Sequence, residues 1–429
     1  MRKRVRSKKS KPVLRAVSPS CQQRVLQLAQ VLIGAQDALH EMIVGVGQQV
    51  LAAMLEQDRE ALCGTKGRRD PERDAYRYGR NRGHMVLGGR KIEVEKPRVR
   101  QKGGQEIQLP SWRQFRDEDP LDERTLTQML IGVSTRKYER SLETLPSGTA
   151  SIATKKSSVS RRFVRTTKAA VEAFLSRELA DLDLPVLMLD GKYLGPHLLI
   201  FALGIDATGK KHVLGIWEGS TESHEVCRSL LRDLIERGLK VERPRLIVLD
   251  GGKGLRKAID QVFGRFAVVQ RCQVHKLRNV LDHLPEDRRS WVKANLVRAW
   301  KTEDVEKART ALKRLVSSLE EDHPGAAASL QEGLAETLTL LELGVGDGLR
   351  RTLRSTNPIE NLNATMERSC KRVCRWKNAS MARRWAVSAA IEAEAGFRRI
   401  RGHEEMPQLM TALERRINPS EASKELKVA

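Results

Sequence analysis

Val186-Leu187-Met188-Leu189-Asp190-Gly191 sets four apolar residues ahead of a carboxylate and a glycine. Leu246-Ile247-Val248-Leu249-Asp250-Gly251 repeats the arrangement. Short apolar runs of this kind, bounded by glycine, read as buried strands. A carboxylate at the end of a buried strand is costly unless it is paired or meets a cation, so two such endings point to a site at the carboxyl edge of one sheet. A third acid, Glu360, opens a late helix at Asn357-Pro358-Ile359-Glu360. Three carboxylates suit a pair of divalent cations clamping a phosphodiester for in-line displacement, with Asp190 bridging both ions and Asp250 and Glu360 completing one each. Mg²⁺ takes hard oxygen ligands and keeps several waters, so few side chains suffice. Each acid also has an ordinary reading. Asp-Gly is common where a strand enters a turn, and Asn357 as N-cap, Pro358 at N1 and Glu360 at N3 make a capping box.

Around these two runs the pattern predicts strands at 186–189, 198–205, 212–217, 246–249 and 266–270. A helix is expected from about 222 to 237, aligning Val226, Leu230 and Leu234 and stopping before Gly238. Three strands close in sequence can pair antiparallel, and the later two, reached through helices, can be parallel. The expected fold class is therefore α/β, a ribonuclease-H-like core. A doubly wound sheet would instead alternate strand and helix from the start. The core's first part spans 184–279 and its last part 351–400. Between them, 280–350 is charged and helical, with Trp291, Leu296, Trp300, Leu312 and Leu315 as core candidates, and this helical insertion explains the long gap between Asp250 and Glu360. Residues 401–429 read as a polar tail or small terminal helices.

Upstream lie α-helical and β-hairpin regions with DNA-binding character. Residues 1–17 form a basic arm, with eight Lys or Arg among the first fifteen positions. Residues 18–70 are helical. Residues 71–117 are basic and contain a hairpin, Met85 to Leu87 and Lys91 to Glu95 about Gly88-Gly89, with Pro97 ending the ladder. Residues 118–180 suggest a helix-turn-helix: one helix from Leu121 to Ile131, a turn at Gly132, and a second helix capped by Ser134 and carrying Tyr138, Leu142 and Leu145. A third helix begins near Ser158, with Arg161, Arg162, Arg165 and Lys168 on its polar side as candidate DNA contacts. Downstream of Glu360, Arg368, Lys371, Arg372 and Arg375 fall on one helical face and could hold a DNA strand entering the site.

Across 429 residues, 78 Lys and Arg stand against 54 Asp and Glu, a formal charge of +24. That excess points to a polyanionic partner. Only 4% of residues are aromatic, which disfavours a base-stacking platform for single strands and favours contacts to duplex phosphates. No apolar run approaches the ~20 residues of a membrane span. Six cysteines make no disulfide framework, so a reducing, cytoplasmic setting fits. A tyrosine recombinase is excluded, because its nucleophile lies near the C-terminus and the last tyrosine here is Tyr193. No strand-plus-serine arrangement near the start supports a serine recombinase.

Four strings in order carry a family resemblance: Leu189-Asp190-Gly191-Lys192-Tyr193, Leu249-Asp250-Gly251-Gly252-Lys253-Gly254-Leu255, Gln270-Arg271-Cys272-Gln273-Val274-His275-Lys276-Leu277-Arg278-Asn279 and Ser355-Thr356-Asn357-Pro358-Ile359-Glu360-Asn361-Leu362-Asn363. Together, over about 71–390, the chain resembles the Mutator-like family of bacterial insertion-sequence transposases. The resemblance implies that Asp190, Asp250 and Glu360 form a DDE triad on a ribonuclease-H-like fold, using Mg²⁺ or Mn²⁺. Cys272, His275, Lys276, Arg278 and Asn279 match a signature of the family and are candidate site-supporting or DNA-contacting residues. Implied partners are double-stranded DNA (the terminal inverted repeats of a mobile element and a target duplex) and further copies of the chain in a synapse. The implied setting is the bacterial cytoplasm, on the nucleoid when DNA is bound, and the implied chemistry is cleavage by water followed by strand transfer from a 3′-hydroxyl. The competing readings are a nuclease of the same fold and a transposase-derived DNA-binding protein. Zinc held by Cys272 and His275 with Cys370 and Cys374 is not expected, because the pairs lie far apart and Cys370 and Cys374 read as small apolar positions of a helix. Gly251 to Gly254 lacks Walker spacing and reads as a helix-capping turn.

Overall fold

The computed structural model describes residues 19–68, 72–87, 89–117, 120–143, 145, 152–219 and 223–418. The basic arm at 1–17 and the last residues of the tail lie outside them. The chain divides into two compact units, 1–125 with 135–160, and 126–134 with 161–429.

The first unit begins with a long helix, α1 (Pro19–Cys63), followed by β1 (Ala75–Leu87), β2 (Arg90–Gln101), β3 (Glu106–Ile107) and α2 (Pro110–Asp117). The strands form an antiparallel sheet in the order β1-β2-β3. Leu51 and Leu55 of α1 meet Met85, Val99, Leu109 and Trp112 in its core. The hairpin is longer than its sequence suggested. Pro97 does not end the ladder; β2 runs on to Gln101, and Pro97 sits opposite Arg80 where the register shifts between Arg77 and Arg80. Gly79, at φ +73, supplies the irregularity. A residue without an N–H is tolerated there because β3 covers β2 only at Val99 and Arg100. The hairpin's charge is largely answered within the unit: Arg77 meets Glu56, Arg80 and Arg82 meet Glu95 and Glu93, and Arg98 meets Glu106.

α3 (Pro120–Leu130) and α4 (Lys156–Leu175) match the first and third helices of the expected helix-turn-helix. The second helix is not formed. Glu139–Ser141 makes a single 3-10 turn, and the buried Tyr138 hydroxyl donates to the Gly89 carbonyl at 3.1 Å. That tertiary bond fixes the segment in place of a regular helical ladder.

The second unit is mixed α/β. β4 (Val186–Leu194), β5 (His197–Ile205) and β6 (Lys211–Gly219) are antiparallel. After α5 (His224–Glu236), β7 (Arg245–Leu249) joins parallel to β4, and after α6 (Lys253–Phe263), β8 (Ala267–Arg271) joins parallel to β7. The strand order is β6-β5-β4-β7-β8. All five expected strands are present, with the expected pairing senses. α5 is capped by Ser223, which accepts from the Val226 N–H, and it buries Leu230, Leu231 and Leu234 with α6 residues Leu255, Ala258 and Ile259 against Leu187, Leu189, Ile247 and Leu249. Successive strand residues point to opposite faces. Leu187 and Leu189 therefore commit one face of β4 to α5 and α6, and Met188 and Asp190 face the other way.

After β8 come α7 (Gln273–Asp282), α8 (Glu286–Lys301), α9 (Val305–Glu320), α10 (Pro324–Gln331), α11 (Thr339–Glu342) and α12 (Asp347–Leu353). Val292, Leu296, Trp300, Leu312 and Leu315 share a helical core. Trp291 does not join it and is 52% exposed; Val292, Leu296 and Ala299 define the buried stripe of α8, and Trp291 lies off that stripe. α13 (Asn357–Cys370) packs on β4 and α14 (Ala379–Ala395) on β5 and β6, covering the second face of the sheet. α15 (Met406–Ile417) is a packed helix rather than a polar tail, burying Met406, Leu409 and Leu413. No described helix is long and apolar enough to cross a membrane.

Candidate active site

Asp190 is not at the end of its strand. β4 continues to Leu194, paired with β5 throughout, whereas its pairing with β7 stops at Met188 and Val248. Asp190 thus stands where β4 outruns its parallel neighbour, on the α13 side. The strand-to-turn reading of Asp190-Gly191 is thereby replaced. Asp250 follows the last residue of β7 and accepts from the Gly252 N–H at 3.0 Å, which turns the chain into α6. Gly251 has φ +111, and a Cβ there would collide with the Arg271 guanidinium; only glycine serves at that turn.

Glu360 sits in the first turn of α13, but the capping box is not made. The N-cap is Thr356. Its hydroxyl donates to Glu360 Oε1 at 2.7 Å, and its N–H goes to Cys272 Sγ at 3.4 Å. The glutamate is free of the backbone role that its position in sequence suggested.

Asp190 feels the other two acids. Burial pushes the Asp190 carboxyl up to about 6, the Asp250 charge adds to this, and Glu360 adds further. His275 and the amide of Asn363, which donates to Asp190 Oδ2 at 2.6 Å, pull the other way. A like-charged, partly desolvated carboxylate set is the arrangement that a hard cation relieves. Asn363 Oδ1 is also buried without a protein partner. The donor chemistry fits Mg²⁺ or Mn²⁺.

The signature following β8 lies beside the acids. The Cys272 N–H donates to the Leu249 carbonyl at 2.7 Å, adjoining Asp250, and the Gln273 N–H donates to the Arg354 carbonyl at 2.9 Å, ahead of Thr356. His275 Nδ1 is 3.2 Å from Thr356 Oγ1 and 3.9 Å from Glu360 Oε1. Hydrogen bonding to Cys272 raises the His275 imidazole; burial works against this and is outweighed. Burial also raises the Cys272 thiol, but the His275 and Thr356 hydrogen bonds outweigh it and hold the thiol below its ordinary range. Lys276 is no surface cation: it is 0% exposed, and its ammonium donates to the Ser329 and Glu332 carbonyls at 2.6 Å, capping the end of α10. Arg278 and Asn279 are exposed on α7.

Among the other expected DNA contacts, Arg161 and Arg165 are exposed on α4, but Arg162 is buried. Arg162 adjoins Phe163, whose ring packs on Trp385 with centroids 4.6 Å apart. Arg368, Lys371, Arg372 and Arg375 are exposed but do not share a helical face, since α13 ends at Cys370. The segment after it lies over the β4–β5 turn, where Trp376 leaves room only for glycine at Gly195. Cys370 is buried, its thiol pushed up to about 12 by that burial, and Cys374 lies exposed beyond the helix.

Sequence reading missed Thr356 and Asn363, although both lie inside a string it quoted. Thr356, Glu360 and Asn363 follow a spacing of four and three, which puts them on one side of a helix. It also missed a cleft of about 610 Å³ lined by Gln273, Trp300, Lys301, Glu303, Asp347, Arg350, Arg351 and Arg354. Asp347 neutralises part of it through Arg350 and Arg351.

A mixed five-stranded sheet with Asp190 buried near two further acids, in a strongly basic chain, is compatible with phosphodiester chemistry. The family model described as "Transposase, Mutator family" matches residues 20–399. The transposase for insertion sequence element ISRM5 of Rhizobium meliloti (strain 1021) is 30% identical over 377 residues, 86% of this chain and 90% of that protein. The transposase for IS1081 of Mycobacterium tuberculosis (strain ATCC 25618 / H37Rv) is 30% identical over 341 residues, 76% of this chain and 79% of that protein. The transposase for IS256 in transposon Tn4001 of Staphylococcus aureus is 28% identical over 348 residues, 77% and 84% of the two chains. The chain belongs to the Mutator family of insertion-sequence transposases, enzymes of DNA cleavage and strand transfer.

Proposed function

We propose that the second unit is a ribonuclease-H-like catalytic core in which Asp190, Asp250 and Glu360 form a DDE triad for Mg²⁺ or Mn²⁺, acting on the terminal inverted repeats of the encoding element and on a target duplex. The observation that carries this is the burial of Asp190 where β4 outruns β7, within electrostatic reach of Asp250 and Glu360. Bound at such acids, divalent cations activate an oxygen nucleophile and stabilise the leaving oxygen. The chain's own residues prepare that centre. Asn363 orients Asp190, the Gly252 N–H holds Asp250, and Thr356 holds Glu360. The exposed cations after α13, and the free Arg354 side of the Arg350–Arg354 cleft, offer phosphate contacts for the strand on either side. Joining two element ends to one target requires more than one active centre, which supports a homo-oligomeric synapse.

The test is Mg²⁺-dependent cleavage and joining of DNA carrying the element ends, comparing the wild type with Glu360→Gln. Loss of both steps with end binding intact supports the triad. Full activity in Glu360→Gln would remove Glu360 from it, and cleavage without joining in the wild type would make the chain a nuclease.

Arg161 and Arg165 project from α4 as the remaining recognition candidates. Replacing both with Ala is expected to weaken end binding and to reduce the slope of log affinity against log salt by about 1–2. A slope identical to the wild type would exclude them as phosphate contacts.

A further inference from the structure

We propose that Thr356, held by Cys272 and His275, is a positioning residue that fixes the Glu360 carboxylate towards the other two acids. This rests on the metal-carboxylate reading of the triad. Counted from Thr356 as N-cap, Glu360 lies at N4, one residue past the position from which a glutamate reaches back to the N-cap N–H. That N–H is already taken by Cys272 Sγ at 3.4 Å, and the same sulfur accepts from the His275 N–H at 3.5 Å. With the backbone satisfied by sulfur, the glutamate has no cap to make.

The Thr356 hydroxyl carries one hydrogen and has three neighbours: Glu360 Oε1 at 2.7 Å, His275 Nδ1 at 3.2 Å and Cys272 Sγ at 3.4 Å. The shortest contact, to a carboxyl oxygen, takes the hydrogen. With its own hydrogen committed to Glu360, the Thr356 oxygen accepts from His275 Nδ1–H, giving a directed chain from imidazole to hydroxyl to carboxylate, while the same imidazole also lies against the Cys272 thiol. Thr356 is 0% exposed, so water has no access to replace a missing hydroxyl. Its β-branch restricts the side chain to few rotamers. One carboxylate oxygen of Glu360 is thereby anchored and the other is left to meet a cation. The Cys-x-x-His string, stitched by backbone bonds to Leu249 on one side and Arg354 on the other, sets the distance between the strand acids and the helix acid. The ligand atoms of Cys272, His275 and Glu360 lie within 4.8 Å of one another. The sulfur, however, already accepts from the Thr356 and His275 N–H groups, which favours positioning over ligation.

The test uses the full chain and Mn²⁺ alone, with binding followed by water-proton relaxation beside thermal melting. Thr356→Val keeps the shape and removes the hydroxyl; Thr356→Ser keeps the hydroxyl. Thr356→Val is expected to weaken Mn²⁺ binding by roughly 10–100-fold with little change in melting, and Thr356→Ser to stay close to the wild type. Should Thr356→Val fail to fold, His275→Leu carries the test, expected to weaken Mn²⁺ binding, with rescue by His275→Asn, whose amide can donate from the same position. Wild-type Mn²⁺ affinity in Thr356→Val, or in His275→Leu, overturns the proposal. So does a thiolate charge-transfer band on adding Co²⁺, which would make Cys272 a ligand. Glu360→Gln is the control: if it leaves Mn²⁺ binding unchanged, the metal-carboxylate reading itself has failed.

Discussion

Asp190→Asn is expected to yield a protein that binds element ends and cuts none of them. The substitution preserves volume on β4 but exchanges an anionic oxygen for an amide. Either the amide NH₂ faces the Asn363 NH₂ that now donates to Asp190 Oδ2, or it turns towards the cations and withdraws a charge from them. Charge stabilisation by metal ions supplies several kcal/mol, so cleavage should fall by about 10³-fold or more. Asp250→Asn should do the same while also loosening the turn into α6, because Asp250 Oδ1 accepts from the Gly252 N–H. Product formation under single-turnover conditions, read beside end binding in a gel shift, measures both effects. Activity within tenfold of the wild type would exclude Asp190 from the chemistry.

The second large effect is on stability, and its sign is opposite to that of carboxylates held by cations or hydrogen-bond donors. Asp190 is raised from 3.8 to about 6, first by burial and then by Asp250. The folded state therefore holds this proton more tightly than the unfolded chain does. Its contribution is fully present below about pH 4 and is lost as pH rises through about 6. The loss at pH 8, without divalent cations, is on the order of 2–3 kcal/mol. Asp190→Asn should thus be near neutral at pH 4 and stabilising at pH 8, with Mg²⁺ shrinking the gain by stabilising the wild type. Denaturation of both proteins at the two pH values decides the matter: an equal difference at pH 4 and pH 8 would show that Asp190 is not under electrostatic strain.

The sequence determined the sheet of the second unit, because its strands are buried on both sides or bounded by glycine, and such runs declare themselves locally. Leu198 to Ile205 is apolar almost without interruption, and Leu187 with Leu189 fixes which side of β4 meets α5 and α6. The same period-two pattern carries Asp190 to the opposite side. It also marked Asp190, Asp250 and Glu360 as candidates, since two follow apolar runs and the third opens a helix. Tertiary structure alone decided what required distant partners. Pro97 stays in a strand because β3 leaves that edge of β2 uncovered. The segment around Tyr138 is not a helix because its hydroxyl is tied to Gly89, far away in sequence. Lys276 and Arg162 look like surface cations in a linear string but are buried, Lys276 by carbonyls at the end of α10. Glu360 looks like the N3 acid of a box capped by Asn357 until the cap turns out to be Thr356, whose N–H goes to Cys272 from another element. Local periodicity is written in neighbouring residues. Hydrogen-bond allocation is a competition among groups that only the folded chain brings together.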